Sequence, residues 1–314
     1  MEAPEAPPEA PLFTDIAEGP PGGRALWLRA ADGVRLRAGL WATAPRGTVL
    51  LFPGRTEVIE KYGPVARDLA AAGWGTLTLD WRGQGLSDRL GPDPSLGHVA
   101  RFADYQRDVA ALTEAAQRLA LPRPWVLLAH SMGGCIGLRA LTEGLPVAAA
   151  GFAAPMWGLS LPAHSRLAVR AAGRLGRLGH RPVPGERSDF ALADTSFDDN
   201  MVTTDAGRFS FMQAQVLRHP ELALGAPTLG WLAAALSEMA ALARLPSPAL
   251  PVHTAVGSRE KIVDPAAIAA RMARWPGAGF DTLPGAEHEL MMEADAHRNR
   301  FLAAVLALFD SARA

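Results

Sequence analysis

The sequence predicts an α/β chain: a mostly parallel central sheet flanked by helices, with a helical block inserted late in the alternation. Three observations predict it. Short, continuous apolar runs bounded by Gly and Pro recur along the chain, as in strands buried on both faces. Segments of helical period lie between them, which implies right-handed crossovers. After Pro155 the alternation stops, and it resumes only near Val252.

The elements follow in order. Residues 1–23 are rich in Pro, Glu, Ala and Gly and read as a disordered lead with little to bury. Arg24–Arg29 and Val34–Trp41 form a hairpin around Ala31-Asp32-Gly33. Thr48–Phe52, Gly75–Leu79 and Trp125–Ala129 are the central strands, and Ala148–Ala154 is a further one, weakened by its alanines. Between them, Phe102, Tyr105, Val109, Leu112, Ala116 and Leu119 repeat at spacings of three and four, so they share one helix face. Residues 157–247 lack comparable strand runs and read as a helical lid inserted into a core of 24–156 and 248–314. Val252–Val256, a helix over Pro265–Trp275, Phe280–Leu283 and an amphipathic helix ending near Phe309 complete the core.

Composition removes several classes. The 314 residues are 49% hydrophobic with a net charge of −1, so no basic excess exists to neutralise phosphates, and no nucleic-acid partner is expected. The single Cys135 cannot make an internal disulfide, which fits a reducing compartment. The acidic, proline-rich start lacks the basic and apolar parts of a signal peptide. The apolar stretches Val147–Leu161 and Leu222–Leu242 are interrupted by Pro155, and by Pro227 and Glu238; neither supplies about 20 unbroken apolar residues. A cytoplasmic protein is expected, with peripheral contact of the lid with membrane left open.

The most informative segment is Trp125-Val-Leu-Leu-Ala-His-Ser131-Met-Gly-Gly134, a strand that runs through a sharp turn into a helix. Such a turn lifts a serine oxygen from the sheet edge toward a helix N-terminus, where oriented amides favour developing negative charge. Ala129 stands where Gly-x-Ser-x-Gly has its first glycine.

Together with Leu79-Asp-Trp-Arg-Gly-Gln-Gly-Leu-Ser-Asp88 and Phe52-Pro-Gly-Arg-Thr-Glu57, this segment resembles the lysophospholipase and monoglyceride-lipase-like (serine aminopeptidase-like) branch of the α/β-hydrolases. The resemblance implies the α/β-hydrolase fold, the lid and carboxylic-ester hydrolysis. It also implies the chain order nucleophile, acid, histidine. Ser131 is then the nucleophile and His288, between a strand and the last helix, its general base. In Val256-Gly-Ser-Arg-Glu260-Lys-Ile-Val-Asp264-Pro, Glu260 takes the acid's position; Asp264 is the alternative and could instead cap the next helix, and Asp80 is an outside candidate. The oxyanion hole is expected from the amides of Met132 and, by resemblance, Arg55. Arg82–Gly85 reads as structural.

Trp157, Phe197, Phe209 and Trp231 are the lid aromatics expected to line an acyl pocket. The expected substrate is a monoacyl lipid, a lysophospholipid or monoacylglycerol. Alternatives are a small-molecule esterase, a proline-type aminopeptidase using Asp194, Asp198 and Asp199, and a catalytically silent binding protein. No cofactor is implied and no metal site is expected: Glu287-His288-Glu289 lacks His-x-x-x-His spacing, and Gly83-Gln-Gly85 lacks a dinucleotide fingerprint.

Overall fold

The structure is a computed structural model and describes residues 6–41, 43–161, 163–172, 176–184 and 193–312. Its centre is a nine-stranded sheet in the order β1-β2-β3-β5-β4-β6-β7-β8-β9. The strands are β1 (Glu9–Ala10), β2 (Arg24–Arg29), β3 (Arg35–Trp41), β4 (Thr48–Phe52), β5 (Gly75–Leu79), β6 (Trp125–His130), β7 (Ala150–Ala153), β8 (Val252–Gly257) and β9 (Gly279–Leu283). Pairing is antiparallel from β1 to β5 by way of β2 and β3, and parallel through β5, β4, β6, β7, β8 and β9.

Every residue of β4, β5 and β6 is buried, which is what their mainly apolar sequences require once helices cover both faces; Thr48, Thr76, Thr78 and His130 are the polar exceptions. Alternation divides each strand between two cores. Leu50, Phe52, Leu127 and Ala129 face one side with α3 (Tyr105–Arg118) and α4 (Ser131–Thr142). Val49, Leu51, Val126 and Leu128 face the other, with α2 (Gly63–Ala71) and the C-terminal helix Asp295–Ser311. That last helix inserts Phe301, Val305 and Phe309, each buried side chain contributing roughly 1.5–3 kcal/mol.

β7 is shorter than its sequence run: it begins at Ala150, and Ala154, with φ +41, lies just beyond its end. The helix predicted over Pro265–Trp275 stops at Met272, leaving Trp275 to pack into the core beyond it.

The lead is a correction. Residues 1–5 lie outside the described residues, but 6–23 are not a loose tail: β1 pairs with Leu26 and Ala25, and a short helix α1 (Thr14–Ala17) buries Ile16 and Ala17. Composition misled because the partners are distant. The amide of Phe13 donates to Glu60 at 3.1 Å, the carbonyl of Pro11 accepts from Arg37 at 3.1 Å, and that of Ile16 accepts from Gln215 at 2.9 Å.

Between β7 and β8 lie α5 (Ala163–Ala172), α6 (Ala206–Arg218) and α7 (Leu229–Leu242), with α8 (Pro265–Met272) and α9 (Asp295–Ser311) following β8 and β9. The parts of this insert at 162, 173–175 and 185–192 lie outside the described residues.

Candidate active site

Ser131 sits at the junction of β6 and α4 with φ +48, a left-handed conformation that costs a non-glycine residue about 1–3 kcal/mol. The surrounding packing holds it there. Gly133 is required by close approach, since a methyl group on it would lie 2.2 Å from the Phe52 carbonyl oxygen and 2.4 Å from that of Pro53. The methyl of Ala129 is accommodated because it faces Gly137 on α4, which adds no side chain of its own; a methyl group on Gly137 would lie 3.6 Å from it.

The Ser131 Oγ lies 3.0 Å from His288 Nε2, and His288 Nδ1 lies 2.7 Å from Glu260 Oε2. His288 follows β9 and Glu260 follows β8, so adjacent strand ends bring the pair together. The second carboxylate oxygen of Glu260 accepts from the amides of Ile262 and Val263, at 2.6 and 3.0 Å. Burial works against the charge of Glu260, but His288 and these two amides outweigh it and hold the carboxyl below its ordinary value. Asp264 instead caps α8, accepting from the amides of Ala266 and Ala267 at 3.0 and 3.4 Å. Asp80 is also engaged elsewhere, in a fully buried group with Arg37 and Glu60. The carboxylate therefore joins His288 from Glu260 alone of these three. Arg82 is likewise tied away from the site, to Asp32 and Asp108.

A cavity of about 550 Å³ opens on this chain of groups, within the range of small-molecule sites. Met132 and Arg55, the residues expected to supply oxyanion amides, line it beside Ser131 and His288. Of the four predicted pocket aromatics only Trp231 lines it. Trp157 is a core residue: its indole donates to the Gly134 carbonyl at 3.0 Å, and its ring packs edge-on against Phe152. Phe209 is buried in the second core, and Phe197 packs on Phe209 while remaining 37% exposed. Large rings gain most by filling core space, and helical spacing does not say which neighbour a ring meets. The apolar wall comes from smaller side chains of the insert, among them Leu159, Met212 and Leu232.

Glu57, Lys61 and Glu289 of the lining belong to a charged cluster that the sequence reading did not find. Lys61 Nζ bridges Glu57 Oε1 and Glu289 Oε1 at 2.7 Å each. His130 Nδ1 lies 3.0 Å from the Ala153 carbonyl oxygen, and its Nε2 is 3.2 Å from Glu289 Oε2. Glu57 also accepts from the Gly54 amide and the Tyr62 hydroxyl. Burial opposes a charge on His130, but Glu289 and Glu57 outweigh it and raise its pKa; Glu289 is correspondingly held well below its ordinary value. Glu57, His130 and Glu289 bring donor atoms within 4.8 Å of one another, a spacing suited to a cation, and the Lys61 ammonium supplies the positive charge between the two carboxylates. Lys61 and Lys261 are the only lysines in the chain, a rarity that was the available signal in the sequence, and both line the cavity.

Residues 43–295 match the family model described as serine aminopeptidase, S33. The chain belongs to the S33 serine aminopeptidase family of α/β-hydrolases. This S33 chain is 31% identical over 279 residues to lysophospholipase L2 of Escherichia coli (strain K12), covering 83% of itself and 80% of that protein. It is 30% identical over 267 residues to the probable lysophospholipase L2 of Haemophilus influenzae, covering 84% and 83%. Its fold is similar to that of a soluble variant of monoglyceride lipase from Saccharomyces cerevisiae, with TM-score 0.72, 18% identity, and 98% and 99% of the two chains covered. It is also similar to a thermostable carboxyl esterase from Bacillus coagulans, with TM-score 0.75, 15% identity, and 93% and 99% covered. No helix among the described residues of this S33 protein is long and apolar enough to cross a membrane.

Proposed function

We propose that this S33-family protein is a serine hydrolase that cleaves carboxylic esters of monoacyl lipids, such as a lysophospholipid or a monoacylglycerol, through an acyl-enzyme. The observation that carries the reading is the continuous chain Ser131 Oγ–His288 Nε2, 3.0 Å, and His288 Nδ1–Glu260 Oε2, 2.7 Å, at a cavity lined by both apolar and charged side chains. With Glu260 ionised, the proton of neutral His288 stays on Nδ1 and leaves Nε2 free to take the serine proton. The Ser131 oxygen then attacks the ester carbonyl, and the oxyanion falls to the Met132 and Arg55 amides. His288 returns its proton to the leaving alcohol, and water repeats the sequence to release the acid. The acyl chain would lie along Leu159, Met212 and Leu232, and the polar leaving group toward Lys61. The helical insert serves as the lid in this reading. It would meet the lipid surface through exposed side chains such as Leu167 and Leu217.

The carboxylates argue against an aminopeptidase. Asp194, Asp198 and Asp199 do not line the cavity, and the two carboxylates that do, Glu57 and Glu289, are already bridged by Lys61. Fluorophosphonate labelling tests the chemistry: wild type should label and Ser131→Ala should not, and a folded wild type that fails to label sinks the hydrolase reading. An ester series then tests the substrate class, since faster turnover of acetyl than of decanoyl esters would remove the lipid.

A further inference from the structure

Arg55 faces two parts of the molecule at once. Its backbone belongs to the turn 54–57, in which Thr56 has φ +65. That turn is clamped on the core side by the buried Gln84, whose amide nitrogen donates to the carbonyls of Gly54 and Glu57 at 3.0 Å each. The amide of Thr56 reaches Gln84 Oε1 at 3.4 Å.

The side chain of Arg55 leaves the turn and crosses to the helical insert. Its Nη2 donates to the Gly225 carbonyl at 2.6 Å, and its guanidinium carbon lies 5.4 Å from the centre of the Trp231 ring. Gly97 forms a further wall of this seat, because a methyl group there would lie 2.5 Å from Nη2. The seat is itself fastened to the insert. The Gly97 amide donates to the Ala226 carbonyl at 3.2 Å, and the Thr228 amide donates to the Gly97 carbonyl at 2.9 Å. The Trp231 indole donates to the Tyr105 hydroxyl at 3.0 Å, fixing the ring that the guanidinium meets.

We propose that the Arg55 side chain is a positioning group that couples the insert to the oxyanion hole. A docked insert holds the guanidinium, and the guanidinium holds the turn that presents the Arg55 amide to the cavity. Displacing the insert leaves the turn held from the core side alone and weakens that donor, so stabilisation of the tetrahedral oxyanion is strongest with the insert closed over the acyl chain. The inference rests on the serine-hydrolase reading above, and it concerns the timing of the site and not the identity of its nucleophile.

Three substitutions test it in the full chain. Gly97→Ala obstructs the seat without touching the catalytic groups, Arg55→Met removes the guanidinium, and Arg55→Lys keeps a charge that can reach one carbonyl. With a short-chain ester, Gly97→Ala and Arg55→Met should lower kcat about 10- to 100-fold, the scale of a weakened oxyanion donor, with KM near wild type. Both should weaken a trifluoromethyl ketone inhibitor by a similar factor, and Arg55→Lys should recover part of the loss. Circular dichroism melts establish that each variant is folded; if Gly97→Ala is not, the two Arg55 variants decide. Wild-type kcat and inhibitor affinity in the folded variants overturn the coupling, as does a change confined to KM. A wild type that neither labels nor turns over removes the hydrolase reading and the coupling together, whereas an active wild type with indifferent variants removes the coupling alone.

Discussion

Replacing Glu260 by Gln changes one atom and should nearly abolish turnover, for a reason the hydrogen bonds specify. Glu260 Oε1 accepts from the amides of Ile262 and Val263, so only an oxygen can occupy that position. The glutamine nitrogen is therefore forced to the other position, 2.7 Å from His288 Nδ1. A donor there makes Nδ1 an acceptor and puts the imidazole proton on Nε2, facing Ser131 Oγ at 3.0 Å. Neutral His288 in that tautomer cannot take the serine proton. The wrong tautomer costs about 10⁴ in kcat, or roughly 5.5 kcal/mol of transition-state stabilisation. Turning the amide over instead would set its donors against two backbone donors. The assay is initial-rate hydrolysis of a nitrophenyl ester, run beside thermal melts that confirm folding. Asp264→Asn is the matched control: asparagine caps a helix as well as aspartate, so its rate and melting temperature should stay near wild type. A Glu260→Gln enzyme within tenfold of wild type, or an Asp264→Asn enzyme equally impaired, would refute the tautomer argument.

Three other predictions follow from packing and charge. The pKa of His130 is raised by Glu289 and Glu57, so its contribution to stability is complete below the unfolded value of about 6.5 and is lost as pH rises through the folded value. Urea unfolding at neutral and alkaline pH should show this decline in wild type and a flatter profile in His130→Gln; equal slopes would contradict it. Gly133→Ala should displace the nucleophile turn at a cost of about 1–3 kcal/mol and suppress labelling of Ser131, because the new methyl meets two backbone carbonyls. Trp157→Ala should lower stability by about 3–5 kcal/mol, while Leu232→Trp should shorten the preferred acyl chain at a smaller cost of about 1–3 kcal/mol, since Leu232 lines the cavity but is also packed in the core. Chain-length profiles and melts on both variants check the division between core and cavity.

Particular residues show how far the sequence could be read. Thr48–Phe52 and Gly75–Leu79 were legible to the residue because a short, mainly aliphatic and β-branched run that begins beside a glycine and ends at Pro53 or Asp80 has few alternatives in a buried parallel sheet. Ser131 was legible because a strand, a sharp turn and a helix are all local in sequence. His288 and Glu260 needed the chain order implied by family resemblance, and Asp264 differed from Glu260 only by which amides each carboxylate reached once folded.

Sequence alone determined the alternation, the sharp turn at Ser131 and the place of the insert, since each depends on contacts within a few residues. Tertiary structure decided which side chains line the cavity, why residues 6–23 are held, and that Lys61 lies between Glu57 and Glu289. Those outcomes depend on burial and pairing between distant segments. A charged residue reads as a solvated surface group until the fold supplies the opposite charge that makes its burial tolerable.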